Sequence, residues 1–224
     1  MGSFSGSGMR IGELSRRTGV SVASIKYYLR EGLLPPGELT SPNQARYDEA
    51  HVRRLRLIRA LLDVGGLSVA GTRDVLAAVD AEDVALHDVL GATQGALLGE
   101  PVVGEDDAAG RAAKLLDELV ARRGWAVSGR NPGRRAAVEI LATSERLGSG
   151  VLTGLLDTYA EALESVATAE VGSVVARGER EDVVESAVLG TVLGAGLISA
   201  LRTMAHEAAS ARLNVGPAQA VDAG

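Results

Sequence analysis

The 224-residue sequence contains no cysteine, which removes structural disulfides, thiolate zinc sites and thiol redox sensing together. Its three histidines, His51, His87 and His206, are scattered and do not restore a metal-ligand spacing. There is no Gly-rich phosphate loop, no nucleophile elbow and no local His–carboxylate pair, so the chain reads as a non-enzyme with neither cofactor nor metal. Aromatic residues make up only 3%, with a single tryptophan. No run reaches the roughly 18 uncharged apolar residues of a membrane helix, and no charged-then-apolar segment opens the chain. A cytoplasmic protein without membrane contact is the expectation.

What the chain does have is 46% apolar residues, enough for a sizeable core, and an uneven distribution of charge. The net charge is −6, yet residues 1–79 hold 11 Lys and Arg against 7 Asp and Glu, which leaves 12 against 22 for the rest. A basic head therefore precedes an acidic body. Local positive potential, not the total, attracts nucleic acid, so the acidic sum does not argue against DNA. The Gly/Ser-rich residues 1–8 read as a leader outside the fold.

Apolar positions Ile11 and Leu14 predict a short helix ended by Gly19. Ser21 is placed to cap a second helix carrying Val22, Ile25 and Leu29, closed by Gly32. Two helices joined by about three residues have helix-turn-helix spacing. Pro35 and Pro36 forbid continuation, and the turn formers Ser41, Pro42 and Asn43 before Arg46 and Tyr47 predict a small β-wing. A third helix starts at Asp48 and breaks at Gly65-Gly66, and a fourth runs from Ser68 to about Val79. Beyond Ala81 the texture is wholly helical: a weak helix over 82–98 interrupted by Gly91 and Gly95, then helices at Ala108–Arg123, Pro132–Leu147, Val151–Ala176 and Glu181–Leu213. The expected class is mainly α, a winged helix-turn-helix followed by an all-helical domain. Its parts are a head at 9–80, a connecting helix and linker at 81–107, a helical domain at 108–216 and a tail at 217–224.

Five blocks, Arg10–Ser21, Ile25–Tyr28, Glu31–Pro36, Ala45–Asp48 and Val52–Ile58, stand in an order and spacing that resembles the MerR family of bacterial regulators. The resemblance implies a sequence-specific transcription regulator that binds double-stranded promoter DNA as a homodimer on a palindromic site, with RNA polymerase as a further partner. It matches Tyr27 and Tyr28 to paired aromatic positions of the recognition helix, Arg46 and Tyr47 to a wing end that grips the backbone, and Arg17 to the basic end of the first helix. The residues themselves place Ser21, Ser24 and Lys26 beside them: a capped helix N-terminus brings free N–H groups near phosphate while outward side chains reach base edges. Adjacent positions on a helix point about 100° apart, so one of Tyr27 and Tyr28 can instead pack inward. Arg53, Arg54, Arg56 and Arg59 read as a solvated face.

The resemblance also implies that the back half senses a signal, a small-molecule effector being the leading expectation. Trp125 with Tyr159, Glu161 and Glu164 forms a candidate pocket for a planar cation; core packing of Trp125 and solvation of the glutamates is the competing reading. The alternatives for the whole chain are a DNA-binding regulator whose helical domain docks a protein partner, and an architectural DNA binder without ligand switching. Dimerisation falls either to the helix over 82–98 or to the charge-free run Ala187–Leu201 with Gly190 and Gly194, which reads equally as a buried core helix.

Overall fold

The computed structural model describes residues 8–41, 44–81, 85–99, 104–175 and 180–214. The expected tail and nearly all of the leader lie outside them. The head opens with α1 (Ile11–Thr18) and α2 (Val22–Arg30), followed by β1 (Glu38–Ser41), β2 (Gln44–Arg46), α3 (Glu49–Arg59) and α4 (Val69–Asp80). Gly19 ends α1 with φ +70, the left-handed conformation that a residue with a Cβ adopts only at a cost, and its N–H donates to the Ser15 carbonyl. Asp48 caps α3, accepting from the His51 N–H while the His51 ring accepts from the Asp48 N–H. Burial opposes ionisation of the Asp48 carboxyl, but the hydrogen bonds from His51 outweigh it and hold the group below the usual carboxylate range.

The wing is an antiparallel pair with Glu38 opposite Arg46 and Leu39 opposite Ala45, irregular between Leu39 and Ser41. Met9 extends this edge by exchanging both backbone hydrogen bonds with Tyr47. The helix of α3 runs on into a single wider turn, Ala60–Val64, with the Gly65 N–H donating to the Ala60 carbonyl.

The back half contains α5 (Leu86–Leu98), α6 (Asp107–Arg123), α7 (Pro132–Arg146), α8 (Val151–Gly154), α9 (Leu156–Val175) and α10 (Arg180–Asn214). Two expectations are corrected here. Gly91 and Gly95 do not interrupt α5, because its packing against α4, α7 and α10 outweighs the roughly 1 kcal/mol that each glycine costs a helix. The single helix expected from Val151 is broken at Leu155, whose φ −101 and ψ 1 leave helical geometry just after Gly154.

Two hydrophobic cores result. The first joins Leu14, Ile25, Leu33, Leu34, Leu55, Ile58, Leu61 and Leu76 of the head to Val89 of α5 and to Val184, Val188 and Val192 of α10. Helix α10 therefore completes the core of the head. The second core, between α6 and α7 with Ala160 of α9, is built largely of alanine around Leu116, Leu119, Val138 and Leu141. At the seam of the first core α10 passes close to Gly65, where an added Cβ would lie 2.7 Å from both a Val192 methyl and the Leu61 carbonyl.

Candidate nucleic-acid interface

The site is built on α2. Ser21, in extended conformation, accepts from the Ser24 N–H at 3.0 Å, and the two hydroxyls lie 2.8 Å apart. This fixes the start of the helix and leaves its first turn at the surface. Ile25 is fully buried, which directs the opposite side of α2 outward. There Ala23, Lys26 and Arg30 are exposed. Lys26 forms no ion pair or hydrogen bond among the described residues, so its ammonium remains available to an anionic partner.

The tyrosine pair divides its work. Their rings are 5.9 Å apart and tilted by 59°. Tyr28 packs against the head core, where burial first and the nearby Asp63 carboxylate second push its phenol above the usual range. Tyr27 is half-buried beneath the Arg30 guanidinium, which lies over one face of its ring 5.2 Å from the centre.

At the wing, Arg46 is half-buried and donates to the Gly8 carbonyl at 2.6 Å. Tyr47 is only 5% exposed and belongs to the core, its ring edge-on to His51 at 5.1 Å, and burial raises its phenol pKa. Arg46 is thus the outward member of that pair. Arg17 makes a two-pronged pair with Glu49, one arm at 2.8 Å, and so ties α1 to the start of α3. The pair leaves Arg17 46% exposed at the side chain, but its guanidinium is already partly neutralised.

The pairing pattern separates the remaining cations in a way that sequence reasoning did not. Arg54 is engaged by Asp80 and the Leu33 carbonyl, Arg59 by Asp63, and Arg73 by Glu31. Arg10, Arg16, Arg53 and Arg56 are exposed and have no such partner among the described residues. Asp63 is an i,i+4 neighbour of Arg59, whereas the partners Glu49, Asp80 and Glu31 lie 26 to 42 residues from theirs, beyond any local pattern.

In the back half, the structure brings Trp125 and Glu164 together: the indole N–H donates to Glu164 at 2.8 Å, and Arg123 donates to the other carboxylate oxygen at 3.3 Å. Tyr159 instead faces α10, where Arg202 lies over its ring at 5.9 Å and donates to its hydroxyl. Glu161 is exposed on α9. The expected cation receptor is therefore already neutralised by the protein's own guanidinium at Glu164. A separate cleft of about 690 Å³ lies between the head and α10, bordered by His51, Arg53, Leu57, Val79, Val89 and Val184. No group of three or more potential metal-ligating side chains occurs among the described residues.

Comparison with known proteins finds a described family over the same part of the chain. The family model described as MerR HTH family regulatory protein matches residues 9–79. The chain is 44% identical over 50 residues to the HTH-type transcriptional regulator ZntR homolog of Haemophilus influenzae, covering 22% of this chain and 37% of that protein. It is 43% identical over 56 residues to nodulation protein NolA of Bradyrhizobium elkanii, covering 25% and 26%. It is 32% identical over 80 residues to the mercuric resistance operon regulatory protein of Bacillus cereus, covering 36% and 60%. The chain thus spans from a quarter to three-fifths of these curated relatives. Among solved structures, the protein SCO5550 of Streptomyces coelicolor A3(2), assigned as a transcriptional regulator, is similar over 91% of this chain and 97% of its own, with 38% identity and a TM-score of 0.71.

Proposed function

The chain belongs to the MerR family of helix-turn-helix regulatory proteins, and from that premise we propose that it is a sequence-specific DNA-binding transcription regulator that reads a palindromic promoter site as a dimer. The observation that carries this reading is α2 itself: a helix capped by Ser21, anchored by Ile25, and presenting Lys26, Tyr27 and Arg30 beside a β-wing. In this reading α2 enters the major groove. Lys26 attracts phosphate, Tyr27 meets the groove wall, Ser24 and the first-turn N–H groups approach the backbone, and Arg46 steadies the flank from the wing. Tyr28 supports the helix from behind. Arg17 shares its charge between Glu49 and the DNA, so its contribution is smaller than that of the unpaired Arg16.

This chain has no cysteine and so offers no thiolate to a soft metal. The signal in this proposal is an organic effector acting on α6 to α10, and at the Trp125–Glu164 pair it has to displace Arg123 from the carboxylate. Trp125 is the sole tryptophan, so a ligand at that pair shifts the intrinsic fluorescence. RNA polymerase is the partner through which such a signal reaches transcription.

The test is a binding selection from randomised duplexes with purified protein. Enrichment of an inverted repeat supports the reading. Recovery of unrelated sequences at equal affinity favours an architectural binder, and no retention of DNA at moderate salt removes the reading altogether.

A further inference from the structure

Four helices border the cleft of about 690 Å³ between the head and α10. Much of its wall is apolar: Leu57 of α3, Val89 of α5 and Val184 of α10 are buried, and Val79 of α4 is half-buried. Four charged side chains, Arg53, Arg54, Asp80 and Glu185, border it as well. Two of these cancel, since Asp80 accepts from both arms of Arg54 at 2.7 and 2.6 Å. The other two do not. Arg53 on α3 and Glu185 on α10 form no ion pair or hydrogen bond among the described residues, either with each other or with any third group. Arg53 is exposed, whereas Glu185 is half-buried, and a carboxylate partly withdrawn from water without a partner is one that a bound cation stabilises. A concave, mainly apolar space of roughly 300–1,000 Å³ with a few fixed polar groups is the usual form of a small-molecule site.

We propose that this cleft binds an amphipathic zwitterion, a small organic molecule whose carboxylate meets the Arg53 guanidinium, whose ammonium meets Glu185, and whose apolar body lies on Leu57, Val79, Val89 and Val184. One unpaired charge of each sign, on different helices of an apolar cleft, selects a guest that carries both. A simple anion leaves Glu185 without a partner and a simple cation leaves Arg53 without one, so each forgoes a charge-assisted hydrogen bond. The cleft differs from the Trp125–Glu164 pair in what binding has to undo. At that pair Arg123 already occupies the carboxylate, whereas here no contact of the protein is displaced. The proposal goes beyond the reading above and does not depend on DNA being read.

The test uses the full chain and three probes that share one fluorophore and a similar linker. Nε-dansyl-lysine carries both charges, dansylcadaverine the ammonium alone and dansylaminohexanoate the carboxylate alone. Titrations read by the blue shift of dansyl emission are expected to give dansyl-lysine the highest affinity, at least about tenfold above either other probe, the worth of one charged hydrogen bond. Arg53→Gln then lowers dansyl-lysine to the level of dansylcadaverine, and Glu185→Gln lowers it to the level of dansylaminohexanoate. Circular dichroism checks that both variants keep their helices, and the ranking of the three probes on the wild type needs neither variant. Four outcomes overturn the proposal: no binding of dansyl-lysine, equal affinity for the three probes, binding indifferent to both substitutions, or binding abolished by Leu197→Asp, which puts the dye on the exposed side of α10. Failure here leaves the DNA reading standing. A selection that enriches no duplex leaves the cleft standing, because no DNA enters these titrations.

Discussion

At the scale of single residues, partners decide which of many cations can act. Lys26 and Arg17 look equivalent in the sequence, yet Arg17 is held by Glu49 and Lys26 is not. Lys26→Ala is expected to weaken binding to a selected duplex and to reduce the slope of log affinity against log salt by about one, as loss of one phosphate contact does. Lys114→Ala, exposed on α6, changes neither. Fluorescence anisotropy from 50 to 200 mM salt reads both; an unchanged slope for Lys26→Ala removes it from the interface. The tyrosines separate by the same logic. Tyr27→Ala lowers affinity with little change in melting temperature, whereas Tyr28→Ala lowers both, because Tyr28 also packs on the core. Thermal melts beside the anisotropy titration distinguish them, and equal effects on stability contradict the division of roles.

At the scale of elements, the close approach of α10 to Gly65 makes that position a probe of how the last helix is held. Gly65→Ala forces a Cβ against Val192 and the Leu61 carbonyl, at a cost of roughly 1–3 kcal/mol for overpacking. It is expected to lower the melting temperature and to speed hydrogen exchange in α10; an unchanged melt would mean that α10 is not seated there. In the second core, Arg146 bridges Asp106, which caps α6, and Glu139 on α7. The Arg146 side chain, then the Ala109 N–H, hold the Asp106 carboxyl at about 2. A carboxyl lowered in the folded state stabilises above its unfolded value and loses that contribution as pH falls toward the folded one, so the clasp between α6 and α7 weakens from about pH 4 to pH 2. Melts of wild type and Asp106→Asn across that range check it: the variant starts lower and lacks this part of the acid dependence.

The head was legible because its signals are local. Ser21, Gly19, Gly32 and the Pro35-Pro36 stop each act on neighbouring backbone, and the structure has helices, turns and wing where they place them. The burial of Tyr47 was not legible because it depends on Met9 and His51, contacts that periodicity does not encode. The same limit explains why the glycines of α5 suggested a break, since only the packing of α4, α7 and α10 around them supports a continuous helix. Of the residues named around Trp125, Glu164 lies against it and Tyr159 does not, and Arg123, two residues before Trp125, was not foreseen as the group that occupies the carboxylate.

At the scale of the molecule, the return of α10 to the first core couples the head to the back half. Val184, Val188 and Val192 lie in the same cluster as Ile25 of α2 and Leu55 of α3. In the proposed dimer two copies of α2 stand at a fixed separation, and the DNA has to match it. Hydroxyl-radical footprinting of the wild-type protein on a selected duplex tests this most directly. Two equal protected tracts related by a two-fold axis are expected, their centres one helical turn, about 34–36 Å, or a multiple of it apart. A single protected tract at saturation, or even protection along the whole duplex, would contradict it.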